Sequence, residues 1–305
     1  MEKNTFYLTM TDGYDIFVRT FKPQNPKQHI HLLHGMAEHS ARYEAFAEAL
    51  CEQGYFVTTH DHRGHGYTAA NNGILGYFDL ENGFERVVDD VREILNEVKH
   101  HEYGRPVLFG QSMGSFIARR FAQKYSDEIE RLILSGTGSP SLMHKAGHLL
   151  ANQLVNMSGP AEPSKLMDKL SFGSFNAHIK NPKTSYDWLT SDEAQVQKYI
   201  EDPYCGFVST NQFYADLTGA MAQHMSNPTD NARIRSDLKV LLISGTDDPV
   251  GDKEAAGVVK AGQQLADAGV QHVKVQLFEG MRHEILNEVK KEKVYESILR
   301  WLKHE

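Results

Sequence analysis

Cysteine is nearly missing from this chain: its 305 residues hold two, Cys51 and Cys205. Two thiols make no disulfide framework, which suits a reducing compartment, and both read as small buried hydrophobes. No run of 18 or more apolar residues occurs, so no bilayer-spanning helix is expected. An excess of basic charge is missing as well. Lys and Arg number 32 against 40 Asp and Glu, a formal net charge of −8. Nucleic acid binding needs a concentrated basic face, so no nucleic acid partner is expected. The opening stretch MEKNTFYLTMTDGYDIFVRTF alternates as a strand does and forms no apolar core of a secretory leader. Internal repeats and low-complexity tracts are absent. The balance of 40% hydrophobic and 24% charged residues is ordinary for a globular protein. A chain of this length buries roughly three-quarters of its unfolded surface without metal or disulfide. A soluble, cytoplasmic protein is expected.

What is present is a rhythm of short apolar runs. They are HIHLLHG (29–35), YFVTTHD (55–61), RPVLFGQS (105–112), RLILSG (131–136), KVLLISG (239–245) and VKVQLFEG (273–280). Continuous runs of this kind mark strands buried on both faces of a parallel sheet. Helical patterns lie between them, such as ARYEAFAEALCEQG (41–54) with its terminating glycine, and HEILNEVKKEKVYESILRWLKHE closes the chain with one apolar face. The alternation predicts an α/β fold with a mostly parallel, doubly wound sheet. From Gly138 to Ser236 the rhythm stops. Helix and loop signals replace buried strands there, with Thr190 and Glu193 spaced as a capping box for a helix running through Tyr199. The expected organisation is a core of residues 1–137 and 237–305, with residues 138–236 inserted as a mainly helical cap.

The strongest local signal is Gly110-Gln111-Ser112-Met113-Gly114. A G-x-S-x-G arises by accident in roughly one chain of this size in ten at ordinary composition. Here it follows the strand PVLFG and opens the helix MGSFIARRFAQKY, which is the setting of a nucleophile elbow. A sharp turn would lift the Ser112 hydroxyl clear of the sheet. The helix start would add free N–H groups and a positive dipole end where an oxyanion forms. A serine hydroxyl needs a base, and the base needs an orienting acid. Downstream, KVLLIS runs into Gly245-Thr246-Asp247-Asp248-Pro249-Val250, and VKVQLFEG runs into Met281-Arg282-His283-Glu284. An acid and a histidine thus follow two successive strands, in the order serine, acid, histidine, at the carboxyl edge where open α/β sheets bind ligands.

On HGMAEHSARY (34–43), DHRGHG (61–66), GQSMG (110–114), GTDDPV (245–250) and GMRHEILNE (280–288), the chain resembles the α/β-hydrolase superfamily. Within it, the resemblance is to the monoacylglycerol lipase and bacterial lysophospholipase-like group. The pieces span nearly the whole core in order, and TSYDWLTSDEAQVQKYIEDPYCGF (184–207) resembles that group's cap. The resemblance implies Ser112 as nucleophile, His283 as general base and Asp248, rather than Asp247, as the acid. Pro249 leans mildly the same way, because it holds the preceding residue extended. The resemblance also implies an oxyanion hole made of the Met36 and Met113 backbone N–H groups. The implied activity is hydrolysis of small-molecule acyl esters, monoacylglycerols or lysophospholipids foremost, with no cofactor and no metal.

Other readings stand beside it. Short-chain carboxylesterases and proline-type aminopeptidases share the core; the latter need a cap acid for the substrate amine, with Glu162, Asp187 and Glu201 as candidates. A non-catalytic small-ligand receptor is the reading from outside enzymology. His60, His62 and His65 form H-x-H-x-x-H, a zinc-like spacing, but inside DHRGHG they read as a structural loop, with metal the minor alternative. Glu38 and His39 read as braces of the site. Met36, Met113 and Met281 flank the reacting groups by motif position and suggest an apolar, adaptable site. Leu149, Leu150, Leu154 and Val155 are read as roofing the pocket, with transient contact to a lipid surface as the alternative.

Overall fold

Each apolar run forms a strand, and burial on both faces is visible in all but the run 273–280, whose strand lies at the sheet edge with only Phe278 buried. Leu132 and Leu134 of one strand enter one core cluster and Ile133 enters the other. The computed structural model describes residues 1–98 and 103–304. The strands are β1 (Glu2–Thr9), β2 (Asp15–Lys22), β3 (Gln28–Leu33), β4 (Tyr55–His60), β5 (Val107–Gln111), β6 (Arg131–Ser135), β7 (Lys239–Gly245) and β8 (His272–Phe278). Among the described residues they make one eight-stranded sheet in the order β1-β2-β4-β3-β5-β6-β7-β8. From β4 through β8 every neighbouring pair is parallel. The N-terminal stretch, read as one alternating strand, is a hairpin: β1 and β2 pair antiparallel, and β2 runs antiparallel to β4. The turn falls at Thr11-Asp12-Gly13, where Gly13 takes φ of 83° and Met10 and Tyr14 close the loop.

The helices are α1 (Glu44–Glu52), α2 (Gly66–Asn72), α3 (Gly83–Val98), α4 (Met113–Tyr125), α5 (Leu142–Ser158), α6 (Lys165–Phe172), α7 (Glu193–Glu201), α8 (Asn211–Ala220), α9 (Pro228–Asn231), α10 (Ala256–Asp267) and α11 (Lys291–His304). Apolar residues of α3, α4 and α10 pack on one sheet face, and those of α1 and α11 pack on the other. Between β6 and β7 the described residues hold α5 to α9 and no strand. This is the stretch where the apolar rhythm of the sequence stops.

Two helix starts differ from the sequence pattern. The cap of α7 is Asp192, whose carboxylate accepts from the Ala194 and Gln195 N–H groups. Thr190 instead donates its hydroxyl to the Asn287 carbonyl, so a tertiary bond claims the side chain that local spacing had assigned to the helix. The closing helix begins at Lys291, and Ile285–Asn287 form only a 3-10 turn. The Glu288 carboxylate accepts from the Ser191 and Arg282 N–H groups, which holds the 282–289 segment out of the helix.

Candidate active site

The carboxyl ends of β3, β5, β7 and β8 converge on one edge of the sheet, and each contributes one part. At the end of β5, Ser112 takes φ of 52° and ψ of −120°, a strained geometry that a non-glycine residue holds only where its surroundings dictate it. The flanking glycines are dictated by contact. A Cβ on Gly110 would stand 2.2 Å from the Gly114 carbonyl oxygen, and one on Gly114 would stand 2.4 Å from the Leu33 carbonyl oxygen. Ser112 sits one residue before α4, and its N–H donates to the Ser135 carbonyl at 2.8 Å. Its side chain faces a cavity of about 290 Å³ that His283 also lines.

His283 follows β8 and is buried. Its Nδ1 donates to Asp248 Oδ1 at 2.8 Å, which leaves Nε2 as the basic nitrogen. Asp248, 1% exposed, also accepts from the Val250 N–H at 2.9 Å and the Ser244 hydroxyl at 2.9 Å. Asp247 points to solvent, and its carboxylate meets only the neighbouring Thr246 hydroxyl among the described residues. Burial acts to lower the His283 pKa, but the Asp248 charge and hydrogen bond outweigh it and leave the imidazole above its ordinary value. Space for the ring is made by Gly136, whose absent Cβ would lie 3.0 Å from His283 Cε1.

The Met36 N–H, in the loop after β3, and the Met113 N–H, in the first turn of α4, meet no acceptor among the described residues. Met36 lines the cavity. The Met113 and Met281 side chains lie in the core instead. Glu38 shapes the Met36 loop: Oε1 accepts from the Gly35 N–H at 2.6 Å and the Tyr43 hydroxyl at 2.7 Å. Ala37, at φ of 52°, presents a carbonyl that accepts from the Tyr199 hydroxyl and the Gly206 N–H, each at 2.9 Å.

Several residues of this site lie inside the family-like stretches but take no role from the sequence. Arg42 donates to Glu284 at 2.5 and 2.7 Å and to Glu38 at 2.7 Å. This joins the His283 loop to the Met36 loop. The Glu38-to-Arg42 spacing of four was a local hint. Gln111 donates its amide to the His283 carbonyl at 3.0 Å. Trp188, from the inserted segment, packs tilted against His283, with ring centroids 5.1 Å apart and planes at 43°. The His283 and Glu284 N–H groups donate to the Trp188 and Leu189 carbonyls. The inserted segment therefore holds the histidine loop as well as the Met36 loop.

The aminopeptidase-type acids fall elsewhere. Glu162 is exposed, Asp187 is taken up by Lys183 and Thr184, and Glu201 lines an outer groove. The inserted-segment carboxylate lining the cavity is Asp168, which accepts from the Tyr214 hydroxyl at 3.3 Å. Leu150, Leu154 and Val155 pack on the core cluster of α3 and α4 instead of lining the cavity, and Leu149 is 72% exposed. Their helix turns one stripe inward and leaves a second in solvent.

The H-x-H-x-x-H histidines belong to a buried ladder beneath the site. His29 and His31 both bond the Thr58 hydroxyl at 2.6 Å. His31 bonds His60 at 3.0 Å, and His60 bonds His62 at 2.9 Å. The His62 N–H donates to His34 Nε2, while His65 bonds the Arg63 carbonyl. One direction of donation satisfies the ring-to-ring links with every imidazole neutral. Asp61 accepts from Ser40 and Tyr67, so this loop is tied together by protein partners.

A family profile described as serine aminopeptidase, S33, matches residues 24–290. The monoglyceride lipase of Homo sapiens is 26% identical over 312 residues, covering 97% of this chain and 89% of that protein. An uncharacterized abhydrolase domain-containing protein of Dictyostelium discoideum is also 26% identical, over 99% of this chain but only 29% of its own length. The crystal structure of a thermostable carboxyl esterase from Bacillus coagulans superposes with a TM-score of 0.90 at 26% identity, covering 99% of this chain and 98% of that one.

Proposed function

This chain belongs to the serine aminopeptidase, S33, family and has the α/β-hydrolase fold; from that premise we propose that it is a serine ester hydrolase acting on monoacylglycerols or lysophospholipids. The observation that carries the reading is the 2.8 Å bond from His283 Nδ1 to Asp248, with Ser112 on its strained turn lining the same cavity. In the proposed reaction His283 Nε2 takes the Ser112 proton as Oγ attacks the ester carbonyl. The Met36 and Met113 N–H groups receive the oxyanion. The carbonyl re-forms, the alcohol leaves with the proton from His283, and water then releases the acid by the same steps.

The inserted segment is proposed to act as the cap, since Trp188, Tyr199 and Phe207 wall the cavity over Ser112. Leu142 at 81% exposure, Met143, Met157 and Leu170 leave an apolar outer surface on α5 and α6, which supports transient contact with a lipid surface. Among the described residues no helix is long and apolar enough to cross a membrane. The free thiols Cys51 and Cys205 support a cytoplasmic setting.

One observation favours a second reading. At about 290 Å³ the cavity is at the small end of the roughly 300–1,000 Å³ usual for ligand pockets, which suits a carboxylesterase for short acyl groups. Hydrolysis of an ester series from acetyl to palmitoyl, with monoacylglycerol and lysophosphatidylcholine included, tests both. Turnover rising with chain length supports the lipid reading, and turnover confined to acetyl and butyryl esters supports the second. Full turnover in a folded Ser112→Ala protein overturns both.

A further inference from the structure

The wall between the cavity and the outer groove is built where the inserted segment meets the loop after β3. His39 comes from that loop and is buried; Asp202 and Cys205 come from the turn after α7. His39 Nε2 lies 2.8 Å from Asp202 Oδ2, and His39 Nδ1 is buried with no partner among the described residues. One nitrogen, one carboxylate oxygen and the Cys205 sulfur all lie within 4.8 Å of one another. These residues are brought together from 163 positions apart, and no sequence spacing signals them.

The donor set is selective. Imidazole and thiolate suit Zn²⁺, whereas carbonyl and carboxylate oxygens alone would suit Mg²⁺ or Ca²⁺. Zn²⁺ bonds of about 2.0–2.3 Å require the three donors to close slightly, and two of them sit on one partly exposed turn. Burial first, and then the charges of Glu38, Asp202 and Glu284 against the guanidinium of Arg42, hold the Cys205 thiol protonated; a dication there would offset that negative charge and displace the proton. The outer groove of about 660 Å³, which His39 and Asp202 line, opens these two residues to solvent.

We propose that His39, Asp202 and Cys205 bind a zinc-type divalent cation, clasping the 202–206 turn to the loop that carries the Met36 N–H. The Cys205 S–H proton leaves to solvent as the sulfur–metal bond forms, with no change of oxidation state. Three protein ligands leave a fourth position for water. The ion would reinforce from outside a contact the protein already makes, the Gly206 N–H on the Ala37 carbonyl. The proposal is independent of the ester reading, and none of its measurements requires turnover.

The test titrates chelator-treated, untagged protein with Zn²⁺ against a chromophoric chelator, and with Co²⁺ as a spectroscopic stand-in. The expected result is one equivalent bound, a raised melting temperature and a thiolate-to-cobalt charge-transfer band. Cys205→Ser should remove the band and weaken Zn²⁺ by more than the roughly 10–100-fold that loss of an outer-shell partner costs, while Cys51→Ala and Ser112→Ala bind as wild type. His39→Gln serves as the second variant should Cys205→Ser fail to fold. Failure to bind, a cobalt spectrum without the thiolate band, or unchanged affinity in Cys205→Ser or His39→Gln overturns the proposal. Affinity lost in His283→Ala but kept in Cys205→Ser places the ion on the Asp248–His283 pair and overturns it equally.

Discussion

Arg42 and Glu284 form a buried two-pronged ion pair, with nitrogen–oxygen distances of 2.5 and 2.7 Å, one residue from His283. The same guanidinium reaches Glu38 and lies over the Tyr199 ring at 4.8 Å. One side chain thus joins the histidine loop, the Met36 loop and the inserted segment. Burial acts against the charge of Glu284, but Arg42 more than compensates and holds its carboxyl below the usual range.

Arg42→Ala strands two buried carboxylates. Removing one partner of such a pair costs about 3–5 kcal/mol, so the urea midpoint should fall accordingly. The double variant Arg42→Ala/Glu284→Gln should lose less than the sum of the single losses, because the two residues interact directly. Additive losses would show that the pair does not act as a unit.

Asp248 and Asp247 are adjacent in sequence and opposite in role under the proposed mechanism. Asp248→Asn should lower kcat on the order of 10⁴-fold, since an amide no longer selects the tautomer with Nε2 free. Asp247→Asn should leave kcat near wild type. Steady-state kinetics on one soluble ester decides, and the reverse pattern would move the acid to Asp247.

The raised His283 pKa predicts the acid limb of kcat/KM. A general base works only when neutral, so activity should rise with pH through a midpoint above the ordinary imidazole value of about 6.5. A midpoint below that value would mean that burial, and not the Asp248 charge, controls the ring.

The histidine ladder predicts a loss of stability in mild acid. Burial holds His60 down to about 3 and His65 to about 4, and it keeps His31, His34 and His62 well below their ordinary value. An unfolded imidazole binds a proton near pH 6.5, whereas these folded ones do not. Between 6.5 and about 4 the unfolded state therefore holds more protons, and stability falls as pH falls. Each ring contributes up to about 1.4 kcal/mol per pH unit. His283 carries the opposite sign, its contribution being lost as pH rises past its raised value, but it is one ring against five. Urea midpoints from pH 7 to pH 4.5 should drop steeply, and a flat profile would rule the ladder out as the acid-labile element.

Local patterning was enough to read the parallel strands to within two residues at most ends, because burial on both faces writes itself into a segment as a continuous apolar run. It was also enough to locate the turn at Ser112, since Gly110 and Gly114 are demanded by backbone contacts within the strand–turn–helix and against β3. The order serine, acid, histidine followed from which strands end where. Other features were not legible. Thr190 left its helix for the Asn287 carbonyl, and Glu288 kept the 282–289 segment from joining α11. Arg42 joining two loops to the inserted segment, and Trp188 covering the imidazole, were decided by tertiary structure alone; the choice of Asp248 over Asp247 was already implied by the family-like GTDDPV stretch, and Asp248 is the one that faces His283. Periodicity reports how a residue meets its near neighbours along the chain. Which loops share one edge is set by strand order and by contacts between residues 35 to 242 positions apart, whose energies leave no local repeat to read.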